Sequence, residues 1–118
     1  FGLFDNIAAS DAASDSADRS VAQAQEDARR SLAALTAERD AAQKRAARAD
    51  QLAREGRTNA DMFQRQYKAG TRSVIEVAGL VETMARLEES RIAAHFELAR
   101  AEIDIARALG LLADGDKI

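Results

Sequence analysis

The sequence holds no cysteine, no proline and no tryptophan, and only four Phe and one Tyr among 118 residues. Without cysteine there is no disulfide framework and no thiolate metal site, a composition compatible with either the cytoplasm or the periplasm. Without proline, and with six glycines, nothing forbids helix anywhere along the chain. At 4% aromatic residues, the large side chains that fill a β-sandwich or a doubly wound sheet are missing. No apolar run approaches the roughly eighteen residues of a bilayer-spanning helix, and alternating strands of about ten residues are absent too. An excess of charge of one sign is also lacking: 17 Lys and Arg stand against 20 Asp and Glu. The Arg-rich run from Arg39 to Arg65 looks basic in isolation, yet through residue 70 the chain carries eleven basic and eleven acidic side chains. The field is neutral, phosphate binding has little to drive it, and nucleic acid is not an expected partner.

What is present is alanine, roughly a quarter of the residues, together with Arg, Glu, Leu and Gln. This is the composition of long helices. The chain opens on Phe1 without a basic region followed by an apolar one, so it reads as a processed or excised piece with its targeting information elsewhere. Residues 1–20 form an N-terminal segment dense in Asp, Asn and Ser, side chains that compete with the backbone and favour caps over helix interiors, which leaves the start of the first helix open.

From residue 21 to 68 the spacing predicts one long helix. Leu32, Leu35, Ala42, Ala46, Ala49, Ala53, Gly56, Ala60, Phe63 and Tyr67 recur at alternating steps of three and four, interrupted only by Arg39. That rhythm is the face of a coiled coil. It is thin, since Ala and Gly bury little area, and a thin face demands close approach and larger residues opposite. A second helix over 74–112 supplies them: Val77, Leu80, Met84, Leu87, Arg91, Ala94, Leu98, Ala101, Ile105, Ala108 and Leu112. Between the two, residues 69–73 form a turn. Gly70 is suited to the left-handed conformation that ends a helix, Thr71 and Arg72 follow, and Ser73 with Glu76 three residues later has the capping-box spacing that starts the next helix. Residues 113–118 are left as a C-terminal tail.

So short a turn forces the helices antiparallel, and aligning the two faces pairs residues whose numbers add to about 143. Small then meets large: Phe63 near Leu80, Gly56 near Leu87, Ala46 near Leu98, Leu35 near Ala108. At about 1.5 Å per residue an arm from about residue 8 to 69 reaches roughly 90 Å, against about 60 Å for residues 73–112, so the first helix overhangs the second. The fold class is therefore all-α, a long antiparallel coiled-coil hairpin. On the second helix Ile92, Phe96, Ala99, Ile103 and Ala106 form a further stripe, about 140° around from the first at ~100° per residue. Two apolar sides on one helix predict neighbours on both.

Catalytic chemistry has no foothold. His95 is a lone imidazole with no second His or Cys to share a metal, and there is no phosphate-binding glycine loop and no nucleophile beside a base. The chain is read as non-enzymatic, with no cofactor and no metal. Arg39 and Arg91 interrupt the two faces and are expected to snorkel or to pair with acids of a neighbour.

The run Tyr67-Lys68-Ala69-Gly70-Thr71-Arg72-Ser73-Val74-Ile75-Glu76-Val77, followed by a long helix closing in Ala106-Arg107-Ala108-Leu109-Gly110, resembles the TolC-like outer-membrane efflux and secretion channel family. Residues 63–112 carry the resemblance, and Phe4-Asp5-Asn6 is similar to the family's lead into the first helix. The resemblance implies one hairpin of a trimeric channel, in which a transmembrane β-barrel continues into a periplasmic α-barrel of coiled-coil helices. It also implies the second, C-terminal, of two duplicated hairpins. The partners implied are two further copies in the full-length homotrimer, a periplasmic adaptor protein and an inner-membrane pump. The location implied is the periplasm, within an outer-membrane protein, with this segment not itself crossing the membrane. By the same resemblance Tyr67 and Arg72 tie neighbouring hairpins together and hold the entrance closed, and Glu76 lines it. Gly79 stands where the family often has a second acid and Ala78 where it more usually has Leu, so a single acidic ring is implied.

Two other readings stay open. Arg48-Ala49-Asp50-Gln51-Leu52 with Gly56 is similar to the tip of a periplasmic adaptor hairpin, which would put the turn near Gly56. A free-standing coiled-coil scaffold is the third. A second copy of the hairpin and alternating strands in the parent reading frame select the channel; flanking lipoyl-like β-domains select the adaptor.

Overall fold

The computed structural model describes residues 2–116, and these form two helices, α1 (Gly2–Lys68) and α2 (Val74–Asp116), joined by a tight turn. Phe1 and the last two positions of the 113–118 tail lie outside the described residues. The molecule measures 102 × 20 × 15 Å, the length of one continuous 67-residue helix at about 1.5 Å per residue and the width of two helices side by side.

α1 extends through the Ser- and Asp-rich segment 1–20 as far as Gly2, and α2 runs four residues past Leu112. Several short polar side chains of α1 bond back to the preceding turn. The Ser20 hydroxyl donates to the Ser16 carbonyl at 3.0 Å, as Thr36 does to Leu32 at 2.9 Å and Thr58 to Arg54 at 3.1 Å. With no proline to remove a donor, propensity alone is too weak to stop the helix.

The two faces meet as an antiparallel hairpin. Ala42, Ala46, Ala53 and Gly56 of α1 are buried, as is Ala101 of α2, while Leu32, Leu35, Ala49, Ala60 and Phe63 are half-buried. On α2 every expected contact residue from Val77 to Ala108 is buried or half-buried; Tyr67 and Leu112, at the ends of the two series, are exposed. Among the described residues no large side chain is fully buried. Two helices cannot surround a leucine, so the densest packing falls on alanines that let the backbones approach. The register is set at Gly56: a Cβ built there would stand 2.8 Å from Leu87 Cδ1. Gly56 is thus an interior position of α1, filled by the leucine opposite, and there is no turn at that point. The turn that the adaptor reading needs near Gly56 is absent.

Residues 2–27 are exposed throughout, and the first half-buried position is Ala28, which with Ser31 lies against Leu111 and Leu112 near the end of α2. The overhang is about 40 Å of unpaired helix.

Candidate functional site: the hairpin tip and the outer face of α2

At the tip, α1 ends in a Schellman motif. The Thr71 N–H donates to the Gln66 carbonyl at 2.9 Å and the Gly70 N–H to the Tyr67 carbonyl at 3.0 Å, with Gly70 at φ +80°. The Thr71 hydroxyl donates to the same Gln66 carbonyl at 2.9 Å. α2 then opens with a complete capping box: the Glu76 N–H donates to Ser73 Oγ at 3.2 Å, and the Ser73 N–H donates to the Glu76 carboxylate at 3.4 Å. The end of one helix and the start of the next are therefore both satisfied within the turn. That fixes where Tyr67, Arg72 and Glu76 stand.

Arg72 is held against its own hairpin. Its Nε donates to Gln66 Oε1 at 2.7 Å, Nη1 lies 3.6 Å from Glu76 Oε2, and the guanidinium sits 4.1 Å from the centre of the Phe63 ring. Gln66 and Phe63 as its partners were not read from the sequence. Both belong to the last turns of α1, and only the fold-back at Gly70 carries Arg72 over them. Tyr67 is 46% exposed and leaves its ring available at the flank of the tip.

On α2 the second stripe is exposed. Ile92, Phe96 and Ile103 are 58%, 71% and 52% accessible, and Ala99 and Ala106 are exposed between and beyond them. Phe96, Ala99 and Ile103 line a shallow groove with Arg100, Asp104 and Arg107. Toward the tip the stripe is interrupted at Glu88 and Glu89 and resumes through Ala85, Val81, Ala78 and Val74, all exposed. That extension was missed because Glu88 and Glu89 break the pattern and Ala78 and Ala85 dilute it.

Between the two helices, Arg91 and His95 of α2 meet Asp50 of α1. His95 Nε2 donates to Asp50 Oδ1 at 2.7 Å, Arg91 Nη1 lies 4.0 Å from the same oxygen, and Arg91 Nη2 lies 2.6 Å from Glu88 Oε1. Arg91, expected to snorkel or to pair with acids of a neighbour, pairs with acids within the hairpin; Arg39 does likewise with Asp40 at 2.9 Å. The His95 hydrogen bond, followed by the charges of His95, Arg91 and Arg54, holds the Asp50 carboxyl below its ordinary range. The Arg91 hydrogen bond does the same for Glu88, and Glu88 in turn raises Arg91. A carboxylate whose folded pKa is depressed contributes stability that is complete above its unfolded pKa and is lost as pH falls through the folded one. The wild-type hairpin is thus expected to melt higher than Asp50→Asn at pH 7, with the two converging as pH falls through the lowered folded pKa of Asp50. Melting curves in parallel at each pH check this; a gap that stays constant would separate the effect from ionisation.

Among the described residues no group of three or more His, Cys, Asp or Glu is arranged to hold a metal ion, and no helix is long and apolar enough to cross a membrane. Comparison of the chain with known protein families, with characterised proteins and with solved structures returns no match.

Proposed function

We propose that this hairpin is a wall segment of a trimeric outer-membrane efflux or secretion channel, placed in the periplasmic α-barrel with its tip at the entrance. It conducts exported substrates passively and performs no chemistry. The observation that carries the reading is the exposed stripe Ile92, Phe96 and Ile103 on the face of α2 turned away from α1. A hairpin that works alone has no use for a second apolar face, whereas each helix of a closed wall touches a neighbour on both sides. The similarity of the tip motif, Tyr67 through Val77, to the TolC-like family supplies the identity of the wall.

In this reading the tip docks a periplasmic adaptor protein coupled to an inner-membrane pump. Tyr67 and Arg72 bridge to adjacent hairpins and keep the entrance closed, and Glu76 contributes an acidic ring. Arg72 reaches a neighbour by exchanging its contacts with half-buried Gln66, exposed Glu76 and the Phe63 ring. Each bridging contact is worth about 1 kcal/mol net. In the full-length trimer reconstituted in a planar bilayer, Tyr67→Phe with Arg72→Ser is expected to raise conductance. Glu76→Gln is expected to lower cation preference without opening the pore, since Gln also serves at that capping-box position. Unchanged conductance in the double variant, with trimer assembly intact, would reduce both residues to turn positions.

A further inference from the structure

The contact face of α1 does not stop where α2 does. Ala28 and Ser31 lie against Leu111 and Leu112 near the end of α2. From Ala28, alternating steps of four and three lead back through Ala24, Val21 and Ala17, across two serines, to Ile7 and Leu3. All of these positions before Ala28 are exposed, Leu3, Ile7 and Val21 at 71%, 51% and 57%. The rhythm is that of the buried stretch from Ala42 to Gly56, and the small side chains between the large ones admit a second helix just as closely. A helix of this length without a packing partner is marginal in water.

Charge sets the overhang apart from the rest of the chain. Residues 2–27 hold six acids and one base, Arg19, whereas residues 28–118 hold sixteen bases and fourteen acids. The placement of the acids repeats a pattern of the hairpin. Asp50 directly follows Ala49 of the contact face and Arg57 directly follows Gly56, and both reach across to α2, to His95 at 2.7 Å and to Glu88 at 3.9 Å. Asp11 follows Ser10 and Asp18 follows Ala17 in the same way. Among the described residues neither makes an ion pair.

We propose that the overhang is a docking face for a basic amphipathic helix. The partner lies along residues 3–28 in line with α2, sets large apolar side chains against the small ones of α1, and presents Lys or Arg to Asp11 and Asp18. Two observations select this occupant: the face continues an interface already formed in the hairpin, and its acids stand where the hairpin places charges that pair across helices. The overhang of a second copy is the wrong occupant, since six acids and one base would meet the same set. The docking face belongs to α1 itself and does not depend on the channel reading.

Two synthetic helical peptides, alike in carrying Leu at three-four steps and differing only in Lys or Glu beside them, test the proposal on the complete chain. The Lys peptide is expected to bind about tenfold more tightly than its Glu twin, the preference that two partly exposed ion pairs supply, and to lose that preference in salt on the order of 1 M. Its binding is expected to slow amide exchange at residues 3–27 and to leave 57–66 and 77–87 unchanged. Asp11→Lys with Asp18→Lys is expected to reverse the preference. Ile7→Glu with Val21→Glu, at positions that α2 does not cover, is expected to abolish binding of both peptides. Equal binding of the two peptides to the unaltered chain at low salt would overturn the proposal. So would a Lys peptide that still binds the Ile7→Glu, Val21→Glu variant, or protection that arises along the Ile92 to Ile103 stripe in place of the overhang.

Discussion

Gly56→Leu is expected to destabilise the hairpin by about 2 kcal/mol, in the range of overpacked cores, even though leucine is by far the better helix former. Even a bare Cβ at Gly56 would meet Leu87 Cδ1 at 2.8 Å and Met84 Cγ at 4.0 Å. A leucine there must push α2 away, and the alanine contacts on either side part with it. Gly56→Ala is a different case. It gains about 1 kcal/mol of helix propensity and asks only one Leu87 methyl to move, so it is expected to be close to neutral. Pairing Gly56→Leu with Leu87→Ala exchanges large for small across the same contact, and the double variant is expected to be more stable than the sum of the two single losses requires. Thermal unfolding followed by circular dichroism reads all four proteins. Additive losses would mean that Gly56 and Leu87 do not share a contact in solution.

The same contact shows how much of the fold was legible in the sequence. Positions such as Ala42, Ala46, Gly56 and Leu87 announce themselves by steps of three and four, because a coiled-coil face repeats and each residue confirms the last. The turn was legible for another reason. Gly70, Ser73 and Glu76 act on backbone groups within a few residues, so their chemistry is local and spacing alone reveals it. The lower boundary of α1 was not, since Asp and Ser between residues 5 and 20 favour caps, yet the helix runs through them. The partners of Arg91 and His95 were hidden more deeply. Asp50 lies one position from Ala49 of the seam, and whether it faces α2 depends on the rotation of each helix about its axis, which periodicity fixes only to within a residue. At the tip, Arg72 could be placed in the turn but not onto Phe63 and Gln66, because its direction is set by the fold-back itself.

The second large effect concerns assembly. Phe96→Glu combined with Ile103→Glu is expected to leave the melting temperature of the hairpin nearly unchanged, since both side chains are more than half exposed. If the hairpin forms the proposed channel wall, the same pair in the full-length protein is expected to abolish trimer formation. Burying Phe and Ile contributes about 1.5 to 3 kcal/mol each, so losing both weakens association by roughly a thousandfold. Burying two unpaired carboxylates weakens it further. Size-exclusion chromatography with light scattering separates the two outcomes, and a trimer that persists would place the stripe outside the subunit contacts. Arg100 and Arg107, which flank the groove, give a control: Arg100→Ala is expected to change assembly little, as rim charges do.

Packing of this hairpin into a closed wall is tested most directly by placing a photo-crosslinking amino acid at Phe96 in the full-length protein and irradiating it in intact cells. Crosslinked species between helices of one channel, including subunit dimers and trimers, are the expected result, because Phe96 projects from the face of α2 that α1 does not cover. A Phe96 probe that reacts only with water, or only with proteins other than its own channel, would contradict the wall assignment.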